Sequence, residues 1–178
     1  YRLDAKRCIS YLTIELKGWI PRSLRPLIGN HIFGCDICQE ICPYNAKASS
    51  SSEPAFAPRA GLYAPELIPF LALDEMEFRR RFSGSPILRA KRRGFLRNVA
   101  VALGNLRSTA AVPALIGALG DHEALVRGHA AWALGEIGCP DAMAHLARAL
   151  ENESDGEARD EIREAIGALS AADRDASA

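Results

Sequence analysis

Three cysteines stand together in the stretch FGCDICQEICPYN, spaced CxxCxxxC, with Pro43 directly after the last. Cys35 and Cys38 are three positions apart, a spacing at which two thiolates can reach adjacent irons of one cube, and soft sulfur ligands suit iron and sulfide. Cys42 follows after a longer gap. Pro43 fixes φ and removes an N–H, so the chain turns there and Cys42 can point to a neighbouring centre. Cys8 stands upstream as a fourth thiol. Clustered CxxC spacing without an apolar secretory leader argues for metal or redox chemistry rather than disulfides. Two chemistries fit the donor set: an iron–sulfur cluster, or a tetrahedral zinc site of Cys8, Cys35, Cys38 and Cys42. Ile32, Phe33, Ile37 and Ile41 are expected to wall the site from water. His31 reads as a loop or core residue, and Cys139 as a small core or capping residue.

Bacterial two-cluster ferredoxins carry CxxCxxCxxxCP twice, and the last cysteine of each run ligates the other cluster. CDICQEICP supplies the final three cysteines of such a run with its proline. On this reading Cys8 is the first member, displaced upstream by an insertion, and the partner run lies outside the chain. The first residue is Tyr1, and YRLDAKRC opens without a cap or turn signal, so the sequence reads as a piece of a longer protein.

The elements that must position these thiols fall into three stretches. Residues 1–48 hold the cysteines between short helical pieces, with a helix expected over Pro21–Ile28 and Gly29 as its stop. Residues 49–72 are rich in serine, proline and alanine and read as a connector. Residues 73–178 read as helical and repetitive. FLRNVAVALGNL, VRGHAAWALGEI and ARDEIREAIGAL place Gly104, Gly135 and Gly167 at steps of 31 and 32 residues. A period near thirty with two helices per unit signals an α-solenoid. The VRxxAAxALGxIG pattern at Val126–Gly138 resembles short HEAT-like repeats, in which Trp132 is a core residue. The fold class is therefore mainly α: a ferredoxin-like iron–sulfur region followed by a short HEAT-like α-solenoid.

The formal net charge is zero, but it is unevenly spread. Nine basic and no acidic residues lie between Arg79 and Arg107, whereas nine acidic residues and three arginines follow from Glu151 onward. A single helix over Pro86–Asn105 is expected to carry Arg89, Lys91, Arg92, Arg93 and Arg97. Arg89, Arg93 and Arg97 would line up along it as a stripe open to phosphates, with Leu88, Phe95, Leu96 and Val99 turned inward. No apolar run reaches the roughly 20 residues of a membrane helix. A soluble, cytoplasmic protein of one or two domains with no membrane partner is expected.

The runs YRLDAKRCISYLTIELKGWIP, RPLIGNHIFGCDICQEICPYN and SPILRAKRRGFLRNVAVALGN closely resemble the C-terminal half of bacterial epoxyqueuosine reductases. The resemblance implies a cytoplasmic oxidoreductase with two 4Fe-4S clusters and a cobalamin. Such an enzyme reduces epoxyqueuosine to queuosine at the wobble position of a tRNA anticodon stem-loop, with electrons from an external donor. It also implies that Cys8, Cys35 and Cys38 share one cluster with an upstream cysteine while Cys42 completes the other. The catalytic acid and most of the cobalamin pocket would lie outside the chain, which alone would be inactive. Two other readings of the residues remain: a ferredoxin-like electron-transfer protein, and a zinc/HEAT adaptor that binds nucleic acid without catalysis.

Overall fold

The computed structural model describes residues 4–49, 51–57, 61–62 and 64–176, and every element among them is helical. The expected connector residues 50, 58–60 and 63 lie outside the described residues, as do the first three and last two. The cysteine-bearing part begins with a 3₁₀ turn at Ala5–Arg7 and a helix over residues 9–15 whose last five residues, Tyr11–Glu15, are π-wound. A 3₁₀ turn at Arg22–Leu24 then runs into α1 (Arg25–Ile28), which stops at Gly29 with φ 61° as anticipated. α2 (Ile37–Glu40) is a single turn.

A 3₁₀ turn at Ile68–Ala72, at the end of the expected connector, is followed by α3 (Glu75–Arg81). Asp74 caps α3 by accepting the Glu77 N–H at 2.7 Å, and acidic residues open it while arginines close it, matching the helix dipole. A 3₁₀ turn at Pro86–Ala90 precedes α4 (Lys91–Asn105); α5 (Val112–Ala118), α6 (Ala124–Ile137), α7 (Met143–Asn152) and α8 (Gly156–Ala176) complete the stack. The single helix expected over Pro86–Asn105 is thus divided. Lys91 takes φ 58° as the chain leaves the 3₁₀ turn, a left-handed value that interrupts the helical path.

The repeat glycines have a packing reason. A Cβ on Gly104 would lie 2.9 Å from Ala133 Cα, and one on Gly135 3.1 Å from Ala165 Cα, so α4, α6 and α8 cross at glycine against alanine. Gly167 has nothing within 4 Å of its Cβ position. Phe70, Phe78, Phe82 and Phe95 close the first end of the core with ring centroids 4.9–6.0 Å apart. This core is continuous with Leu12, Ile20 and Ile28 of the cysteine-bearing part. Trp132 is buried as expected, and Cys139 is half-buried against the core at the start of the Pro140–Ala142 turn.

The face of the solenoid that meets the cysteine-bearing part follows the same period. Asn98, His129 and Glu161 stand at steps of 31 and 32, one on each of α4, α6 and α8. Asn98 donates to Thr13 O at 2.7 Å and Ile32 O at 2.9 Å. His129 stacks on Trp19 at 5.1 Å, and Gly128 leaves room for that indole. Glu161 accepts two bonds from Arg25, at 2.8 and 2.6 Å, and one from Arg22 at 2.6 Å. One register position in three successive repeats therefore grips one segment, residues 13–32.

Candidate iron–sulfur ligands and basic surface

All four proposed ligand cysteines are free thiols, as is Cys139. Cys8 precedes the helix over residues 9–15, its carbonyl accepting the Leu12 N–H at 2.9 Å. Cys35 follows Gly34, whose φ of 77° turns the loop, and Cys38 sits within α2, so the CxxC pair spans the start of one helical turn. Cys42 closes the next turn through its N–H to Gln39 O at 3.3 Å, and its own carbonyl accepts from Asn45 N–H at 2.9 Å. Asn45 also donates to the Gln39 carbonyl at 3.0 Å, which fixes the chain just past Pro43. Cys8 and Cys38 are exposed, and Cys35 and Cys42 half-buried. Among the described residues no three His, Cys, Asp or Glu side chains are gathered closely enough to hold a metal ion. The set nonetheless fits an iron–sulfur cluster in type: thiols only, none oxidised to a disulfide, on two segments tied to each other by hydrogen bonds.

The apolar wall is only partly where it was expected. Ile32 and Phe33 pack against the core, but Ile37 and Ile41 are exposed, Ile41 at 77%. α2 is a single, exposed surface turn. Tyr44 is 91% exposed and continues that apolar surface. His31 is half-buried, its Nδ1 2.9 Å from Ile28 O, and acts as a loop residue.

The basic stripe needs correction. Arg97 is fully buried and meets no phosphate from there: it donates to Leu12 O, Leu16 O and Gly18 O at 2.7, 2.9 and 2.6 Å and to Asn98 Oδ1. Leu12 O belongs to the last turn of the helix over residues 9–15, and Leu16 O and Gly18 O to the chain that leaves it; one guanidinium satisfies all three. Burial, with Arg25 and Arg93 nearby, lowers the Arg97 pKa to about 10, which leaves it charged at neutral pH. Arg92 is buried too, donating to Leu73 O at 2.6 Å and pairing with Asp121. Burial would raise the Asp121 pKa, but the hydrogen bonds from Arg92 and the Glu123 N–H hold it below the usual carboxylate value. Leu88, expected to face inward, is exposed.

Arg89, Lys91 and Arg93 remain at the surface, and acids from distant segments reach two of them. Arg89 pairs with Glu15, and Arg93 lies 3.8 Å from Glu123. Lys17 joins this group unannounced by its sequence position, with Nζ donating to Ile14 O at 2.8 Å and Arg89 O at 2.6 Å. Partial burial lowers its pKa, opposed by Glu15 and reinforced by Lys91, Arg97 and Arg89. The only signal that could have found it is its place two residues past Glu15 at a helix end, where a lysine can cap carbonyls.

Fold and thiols together define a class: an iron–sulfur double-cluster region joined to a helical repeat stack. Residues 1–45 match the family model described as a 4Fe-4S double cluster binding domain, and residues 86–167 match HEAT repeats. The chain is similar to the epoxyqueuosine reductase of Pseudomonas aeruginosa, 52% identical over 139 residues, which covers 78% of this chain and 38% of that protein. It is 49% identical over 137 residues to the Escherichia coli epoxyqueuosine reductase, covering 76% of this chain and 36% of the relative. Its fold overlays a crystal structure of epoxyqueuosine reductase with an epoxyqueuosine-modified tyrosine tRNA stem loop at a TM-score of 0.86 and 39% identity, covering 95% of this chain and 45% of that one. The Bacillus subtilis enzyme overlays with a TM-score of 0.85 at 39% identity, over 94% of this chain and 45% of that chain. The chain thus spans less than half the length of the relatives it matches.

Proposed function

We propose that this chain is the cluster-bearing and solenoid part of an epoxyqueuosine reductase, an oxidoreductase that converts epoxyqueuosine to queuosine at the wobble position of a tRNA anticodon. The observation that carries this reading is the overlay of nearly the whole chain on an epoxyqueuosine reductase with its modified tRNA stem loop. Residues 1–48 serve as the cluster region, 49–72 as the connector and 73–178 as the HEAT-like support.

Cys8, Cys35 and Cys38 hold one 4Fe-4S cluster with a cysteine from elsewhere in the protein, and Cys42 completes the second. Cobalamin, held mostly by other parts of the enzyme, supplies the reducing chemistry at the epoxide. The chain's own residues have simpler tasks. Arg97 and Asn98 anchor the cysteine-bearing segments to α4, so the ligands sit on a rigid base. Arg89, Lys91, Arg93 and Lys17 form the surface that meets the tRNA backbone, a role in which cations orient the nucleic acid without reading its sequence. An external donor supplies electrons. No helix among the described residues is long and apolar enough to cross a membrane.

The test is mass-spectrometric analysis of nucleosides from epoxyqueuosine-containing tRNA incubated anaerobically with the full-length, reconstituted protein, a strong reductant and cobalamin. Queuosine formation supports the reading. A brown, cluster-loaded protein that forms none points to an electron carrier instead, and a colourless zinc-loaded one to an adaptor.

A further inference from the structure

We propose that Thr13 is a positioning residue that sets the separation of Cys8 and Cys35 within one cluster, an inference that rests on the cluster reading above. Thr13 is fully buried. Its hydroxyl donates to Ile9 O at 2.8 Å, on the residue after Cys8, and accepts the Gly34 N–H at 3.0 Å, on the residue before Cys35. One oxygen atom therefore bridges the backbone next to each of two cysteines that are 27 residues apart in sequence.

A second link backs the first. The Asn98 carboxamide donates to Thr13 O at 2.7 Å and Ile32 O at 2.9 Å, while its oxygen is held by Arg97 at 3.0 and 2.8 Å. The Cys8 helix and the Cys35 loop are thus joined twice, and α4 holds the joint. The local backbone is shaped for it. Tyr11–Glu15 is π-wound, with Leu16 N–H reaching Tyr11 O at 2.9 Å, and π turns recur where a helix is adapted to a functional site. Gly34 takes φ 77°, which brings its N–H onto the hydroxyl.

Thr13 also decides what the Gly34 N–H does. Backbone donors beside a ligating cysteine tune a cluster's potential when they reach its sulfurs. The hydroxyl occupies this donor, and removing it releases the N–H next to Cys35 while loosening the loop. Thr13 therefore controls both the geometry and the electrostatics of one cluster and leaves the other untouched.

The experiment uses full-length protein reconstituted anaerobically, with iron content, EPR spectra and redox titration of each cluster as readouts. Thr13→Val, close to the same shape without the hydroxyl, is expected to shift the midpoint potential and EPR signal of the same cluster that Cys35→Ala abolishes. Thr13→Ser keeps the hydroxyl and is expected to restore the wild-type values. If Thr13→Val matches wild type while Cys35→Ala removes a cluster, the positioning role is wrong and the cluster reading stands. If Cys35→Ala leaves both clusters intact, the cluster reading itself fails. Should Thr13→Val not fold, Thr13→Ala removes the same hydroxyl with less bulk; the same shift supports the role, and a wild-type potential overturns it.

Discussion

Arg97 is the residue whose replacement separates a buried anchor from a solvated cation. Arg97→Met keeps the aliphatic bulk and removes the guanidinium, leaving Leu12 O, Leu16 O and Gly18 O without their donor. A buried carbonyl that loses its partner costs about 1–3 kcal/mol, in full at Leu12 O and less at the part-buried Leu16 O and Gly18 O. Sparing the burial of a cation offsets part of this, since desolvation of a charge costs several kcal/mol. A net loss of about 2–3 kcal/mol follows, a large share of the roughly 5–15 kcal/mol that holds a domain together. With a urea slope near 2 kcal/mol per molar, the midpoint falls by about 1 M. The assay is urea unfolding followed by tryptophan fluorescence, because Trp19 stacks on His129 at the same interface. Arg93→Met, at the surface of the same helix, is expected to stay within about 0.5 kcal/mol of wild type. Equal, small effects at both positions would refute the anchoring role and return Arg97 to the solvent-facing stripe.

His129 is fully buried, with Nδ1 on Leu125 O at 2.8 Å and Nε2 lacking any hydrogen-bond partner in the described structure. Burial first, then the charges of Arg25, Arg97 and Arg22, push its pKa well below 6.5, so the folded state stays neutral where the unfolded state takes up a proton. Its stabilising contribution is present above pH 6.5 and lost as pH falls below it, with a slope of up to about 1.4 kcal/mol per pH unit. Urea unfolding between pH 7 and 5 should show that slope, and His129→Gln should flatten it; a flat wild-type profile contradicts the assignment. Gly104→Ala forces a methyl against Trp132 and Ala133 and should cost about 1–3 kcal/mol, whereas Gly167→Ala meets nothing and should add about 0.5–1 kcal/mol, both read by thermal unfolding. Replacing Arg89, Lys91 and Arg93 with Glu should weaken tRNA binding at moderate salt and flatten its salt dependence by up to about 0.9 per lost phosphate contact, measured by filter binding across a salt series. An unchanged slope would show that the backbone grip lies elsewhere.

The repeat was legible because its cause is local to each unit: a glycine where two helices cross, alanines beside it and large apolar side chains between. Gly104 and Gly135 announce that packing by recurring. The fate of the arginines was not legible, because a guanidinium's partners come from far along the chain. Arg97 and the carbonyl of Leu12 are 85 residues apart, and Arg89 and Glu15 are 74 apart. A stretch with no acid of its own therefore finds acids in space. The break at Lys91 is not legible for a related reason, since Ser85 and Pro86 signal a helical start but not that the first turn is 3₁₀ and re-aimed. In the cysteine region the thiols and their spacing were readable, and the joint at Thr13 was not. A threonine inside YLTIEL reads as an ordinary helix residue until the Gly34 loop is seen beside it.

The central claim is that this chain supplies ligands to two different clusters. Iron quantification with EPR on the full-length, anaerobically reconstituted protein tests it most directly, comparing Cys8→Ala, Cys42→Ala and Cys139→Ala. The account predicts that Cys8→Ala and Cys42→Ala each lose one cluster signal, that the two lost signals differ, and that Cys139→Ala keeps its full iron content. Loss of the same signal in both variants, or of none, would contradict it.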